Sequence, residues 1–101
     1  MTSGAELARD PGAAARLADG IAAAVTACPA VARMADGPVA TYLPGRVVPG
    51  VAVDEGSARV AVVARYGRPL AEIAEQVRSA ARAAAPALRV DVAIEDIELP
   101  E

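Results

Sequence analysis

A chain of 101 residues with a formal net charge of −3 has length for one domain, since single cores typically close over about 100 to 150 residues. Phe and Trp are absent and Tyr42 and Tyr66 are the only aromatic residues, so the core must be packed from Val, Ile, Leu and Ala, with little volume for a large pocket. The acidic balance gives no drive toward nucleic acid or anionic lipid, both of which want a basic patch.

Catalytic chemistry is scarce as well. The chain has no His, no Lys and a single Cys, and no acidic pair stands at a spacing that general acid-base work demands. The expectation is a protein that is not an enzyme and carries no cofactor and no metal. Glu6, Arg9, Asp10, Arg16 and Asp19 interrupt the first twenty residues, which argues against a signal peptide. No run approaches the roughly 20 apolar residues needed to cross a bilayer, so no direct membrane insertion is expected. A lone cysteine fits a reducing, cytoplasmic compartment.

Residues 1 to 9 lack a strong apolar face and are expected to be loose, with a single domain over 10 to 101. Asp10-Pro11 has the pattern of an N-cap followed by proline at the first helical position, and Ala14, Leu17, Ala18, Ile21, Val25 and Cys28 recur at helical spacing until Pro29. From Ala30 to Gly50 the chain is punctuated by Gly37-Pro38, Pro44-Gly45 and Pro49-Gly50. This predicts irregular or edge structure, with Pro44-Gly45 suited to the centre of a type II turn.

Val51-Ala52-Val53 and Arg59 to Tyr66 flank the turn-forming Asp54-Glu55-Gly56-Ser57, which predicts an antiparallel hairpin. Val60, Val62, Ala64 and Tyr66 face one way, and Arg59, Ala61, Val63 and Arg65 the other. Gly67 is expected at positive φ, with Tyr66 capping the core. Pro69 then opens a helix whose apolar stripe is Leu70, Ile73, Ala74, Val77, Ala81 and Ala84, with Glu72 and Glu75 early and Arg78 and Arg82 late, as the helix dipole prefers. Leu88, Val90, Val92 and Ile94 alternate with Arg89, Asp91, Ala93 and Glu95 in a last strand. The phase changes at Asp96, which implies a bulge or an exit from the sheet. A right-handed crossover puts this strand parallel to Arg59 to Tyr66. The predicted fold class is α+β: a two-layer α-β-β-α-β sandwich with a small mixed sheet of about three main strands and two helices on one face.

These segments resemble the alkaline shock protein family of envelope stress response proteins of Gram-positive bacteria. The likeness rests on Ala24-Val25-Thr26-Ala27-Cys28-Pro29-Ala30-Val31-Ala32, on Gly50-Val51-Ala52-Val53, and on a valine-rich strand closing with Arg65-Tyr66-Gly67. Leu70, Ile73-Ala74 and Val77 continue it, as does Leu88-Arg89-Val90-Asp91-Val92. Ala85-Pro86-Ala87 stands where the family commonly has a Thr-Gly pair, and Ala30 where it has Gly. With the proline-rich insert from Ala40 to Arg46, these departures mark a divergent member of a high-GC lineage. The resemblance implies a non-enzymatic, self-associating protein in cell-envelope homeostasis. It would be a homo-oligomer, cytoplasmic and peripheral to the inner face of the membrane through a membrane-anchored protein partner.

Four candidate sites follow from the residues. Arg59, Val63, Arg65, Arg89 and Asp91 are expected to share the mixed sheet face as a surface for self-association or partner docking. Arg65 and Arg68, joined by Arg46, lie near the start of the second helix as a possible anion-binding set. Two alternative functions remain open: a small-anion-sensing domain built on that set, and an accessory subunit of a soluble enzyme. Cys28 reads as packing, because no neighbouring His or Lys lowers its pKa. Glu95, Asp96, Glu98 and Glu101 read as a solvated acidic tail.

Overall fold

A computed structural model describes residues 11 to 100; the segment 1 to 9 and the expected N-cap Asp10 lie outside these. Helix α1 spans Pro11–Thr26. Four short strands follow, β1 (Val31–Met34), β2 (Ala40–Leu43), β3 (Arg46–Pro49) and β4 (Val51–Asp54), then the long β5 (Ser57–Arg65). Helix α2 (Leu70–Ala84) and strand β6 (Arg89–Glu98) complete the chain. The architecture is α+β, as the periodicity predicts.

Strand β5 organises the sheet. Along one edge β6 runs parallel to it from Ser57↔Arg89 to Arg65↔Glu98. The opposite edge is shared by two antiparallel strands placed end to end. β4 pairs with Ser57 to Val60, and β1 pairs with Val62 to Ala64. Ala61 bridges the junction: its N–H donates to the Gly50 carbonyl (2.8 Å) and its carbonyl accepts from Ala35 N–H (2.9 Å). The sheet therefore has four strands, where about three are expected from sequence. The extra one is β1, a four-residue strand whose irregular register and Ala-Arg centre give no clear alternation.

Both helices pack on one face of this sheet, as expected. Ala18, Ile21 and Val25 of α1 and Ile73, Val77 and Ala81 of α2 meet Ala58, Val60, Val62 and Ala64 of β5 in one core. β-branched residues on the strand and small residues on the helices allow this close approach. α1 ends where the Thr26 hydroxyl donates to the Ala22 carbonyl (2.7 Å) and Pro29 prevents continuation. α2 starts after Pro69, whose carbonyl accepts from the Glu72 and Ile73 N–H groups, both at 3.1 Å.

The proline-punctuated stretch forms a separate two-stranded hairpin of β2 and β3, closed by Leu43↔Arg46. Pro44 fixes the first turn position and Gly45 takes φ +80° at the second, the geometry of the expected type II turn. Val48 carries the hairpin into the main core. The phase change near Asp96 is a bulge. Val62 pairs with Ile94 and Val63 with Asp96, so Glu95 is the extra residue. β6 then continues to Glu98, so Glu95, Asp96 and Glu98 are exposed, as expected, but belong to a strand and not to a tail; Glu101 lies outside the described residues.

Candidate functional site

The sheet face opposite the helices is not the open mixed surface that alternation predicts. The chain after β1 folds over it, and Ala35, Ala61 and Val63 form a second small core with Ala32, Val39 and Ala93 against them. Val63 is only 5% exposed and cannot contribute to docking. Its burial depends on a covering segment contributed from a distant part of the sequence, which strand periodicity does not reveal.

The remaining four residues of that predicted set are exposed but divided between the two ends of β5. Arg59 stands beside Asp91 across the β5–β6 ladder, and with Arg89, Ala52, Pro38 and Val39 these line a groove of about 440 Å³. Arg89 lies 3.6 Å from the Asp91 carboxylate. Arg65 is six residues from Arg59, roughly 20 Å along the strand.

Around Arg65 lies an apolar depression at the end of β5. Tyr66, Gly67, Pro69, Leu70 and Ile97 surround this depression of about 410 Å³ flanked by Arg65 and Arg68. A neighbouring hollow adds Glu98, Leu99 and Pro100. Tyr66 is 67% exposed, Leu70 47%, Ile97 39% and Leu99 67%. The bulge at Glu95 is what brings Ile97 here, because it restores the helix-side phase and sets Ile97 beside Ala64. Gly67, at φ +127°, turns the chain as expected, but Tyr66 does not cap the core. β5 ends at Arg65, Tyr66 N–H donates to the Glu98 carbonyl (3.0 Å), and the ring projects into solvent. Leu70, expected in the buried stripe of the second helix, shares that exposure because it occupies the first turn, beyond the sheet's cover.

Of the predicted anion set, Arg65 and Arg68 line one depression, but Arg46 is held elsewhere. Arg46 makes a paired contact with Asp19 of α1, Nη1 to Oδ1 at 2.9 Å and Nη2 to Oδ2 at 2.7 Å. The Arg46 hydrogen bond holds the Asp19 carboxyl below its ordinary value, and Asp19 in turn raises the guanidinium pKa. Arg68 donates to Glu72 at 3.0 Å, so the first turn of α2 already carries its own carboxylate. Arg65 has no ion pair among the described residues. Cys28 is half-buried against the main core, in keeping with a packing role, and its Sγ lies 3.8 Å from the Ala24 carbonyl.

Among the described residues no group of three or more His, Cys, Asp or Glu side chains is placed to hold a metal ion, and no helix is long and apolar enough to cross a membrane. No family model, curated protein or solved structure matches the chain.

Proposed function

We propose that this chain is a non-catalytic scaffold of the envelope stress response. It acts through self-association and through docking to a membrane-anchored protein at the inner face of the cell membrane. The observation that carries the docking half is the exposed group of Tyr66, Leu70, Ile97 and Leu99 at one end of the sheet. A contiguous apolar patch rimmed by charge is a surface that a protein partner covers, and Arg65 and Arg68 beside it supply the charged rim. An exposed tyrosine offers large contact area at low entropic cost. The envelope setting comes from the sequence resemblance to alkaline shock proteins. The anion-sensing alternative loses support, because Arg46 is engaged by Asp19 and Arg68 by Glu72.

Affinity recovery of the tagged full chain from gently solubilised host membranes, compared with the soluble fraction, tests the proposal. Mass spectrometry of co-recovered proteins is expected to identify a membrane-embedded partner. Recovery only from the soluble fraction, alone or with an enzyme, overturns the membrane role and favours the accessory-subunit reading.

A further inference from the structure

We propose that the outer edge of β6 is a homodimer seam, which pairs antiparallel with β6 of a second copy about Val92. This names the self-association surface of the scaffold function and rests on that reading for its purpose. The geometry comes from the edge itself.

Strand β6 is ten residues long, and its ladder with β5 is its single strand pairing among the described residues. Its other edge presents unpaired backbone groups, the template that strand addition uses. Arg89 N–H donates to the Gly56 carbonyl on the β5 side. Backbone groups alternate along a strand, so Arg89, Asp91 and Ala93 point their N–H and C=O groups toward β5, and Val90, Val92 and Ile94 point theirs outward.

An antiparallel partner centred on Val92 uses this arrangement fully. Val92 then faces Val92, Val90 faces Ile94, Asp91 faces Ala93 and Arg89 faces Glu95. The Val92 and Val90–Ile94 pairs exchange backbone hydrogen bonds through the outward groups, and their side chains lie on the helix side. Val92 and Ile94 are half-buried there already, so a second copy completes their cover. On the other face each Arg89 meets the opposite charge of Glu95, and the two-fold axis makes this contact twice. The pairing is isologous, as a closed dimer requires. It also gives the bulge a role: past Glu95 the register of β6 shifts and the strand carries Asp96, which ends the seam and opposes further pairing.

Sedimentation equilibrium of the full chain is expected to give a dimer. Val92→Pro removes the outward N–H at a position where an edge strand tolerates proline, and should weaken association by roughly ten- to a hundredfold with an unchanged far-ultraviolet circular dichroism spectrum. Arg89→Glu should weaken it about three- to tenfold, and Arg89→Glu with Glu95→Arg should restore it; this exposed pair decides the matter if Val92→Pro unfolds the protein. In a Cys28→Ser background, Val92→Cys should cross-link under mild oxidation, because hydrogen-bonded antiparallel residues stand about 5.5 Å apart at Cα. Arg59→Cys on the central strand should not. A monomer at every concentration, or a dimer indifferent to both the proline and the charge reversal, overturns the seam. Recovery of a membrane partner by a monomeric protein sinks the seam alone, whereas a Val92-centred dimer that captures no protein sinks the docking function and leaves the seam standing.

Discussion

A hydrogen in place of a side chain at Gly50 is what lets β1 and β4 share one edge of β5. Its φ is +79°, and an added Cβ would stand 2.7 Å from the Ala61 carbonyl oxygen and 2.8 Å from Met34 Cβ. Those neighbours are backbone and the root of a side chain, so neither can swing away. Gly50→Ala is therefore expected to cost about 2 to 4 kcal/mol through backbone strain and overpacking together, measured by chemical denaturation. An unchanged midpoint would mean that the junction is looser than its geometry. A second residue pair, Asp19 with Arg46, ties the β2–β3 hairpin to α1. Because the Asp19 carboxyl is held below its ordinary value of 3.8, the pair contributes stability at pH above that value and loses it as acid carries the pH down through the lowered pKa. Nuclear magnetic resonance titration should find Asp19 ionising below 3.8 in the native chain and nearer its ordinary value in Arg46→Ala.

Between helix and sheet the same logic works through periodic faces. Ile73 is fully buried where α2 meets β5, so Ile73→Ala should destabilise the domain by about 2 to 5 kcal/mol, the lost transfer energy plus the cavity left behind. A near-neutral result would place the helix on the sheet by a different face. Elements of this kind are legible in sequence because their pattern repeats: Ile73, Val77 and Ala81 at helical spacing, Val60 and Val62 at strand spacing, and the break of alternation after Ile94 that locates the bulge. β1 is not legible, since four residues with Ala and Arg at their centre form a strand only because the edge of β5 is there to pair with. Val63 lies on the expected strand but in a covered environment, and Tyr66 falls just past the strand's end at Arg65 and not on its core face; both differences have one cause. Alternation says which side of a sheet a residue takes, but not whether a remote segment covers it or where the strand stops. The candidate docking surface suffers most from this. Leu70, Ile97 and Leu99 come from two distant elements, and each looks in isolation like core or tail.

At the scale of the whole molecule, the end patch and the β6 edge are separate surfaces, since Ile97 lies past the bulge, two residues or roughly 7 Å beyond Glu95, where the seam ends. A dimer joined at Val92 would therefore keep both Tyr66–Leu70 patches open and present two docking ends from one body. Two ends engaging partners in the same membrane convert the second contact into an intramolecular event, so weak single contacts sum to firm retention. Substituting Tyr66→Asp with Leu70→Asp places charge on side chains that are already exposed, so the cost in stability should stay within about 1 kcal/mol. The same change should abolish recovery of the membrane partner while leaving the dimer intact by sedimentation. Val92→Pro should do the converse, capturing the partner at reduced yield because each monomer holds on by one end. If the aspartate pair leaves recovery at the native level, the partner docks elsewhere, and the groove of Arg59, Arg89 and Asp91 becomes the surface to alter next.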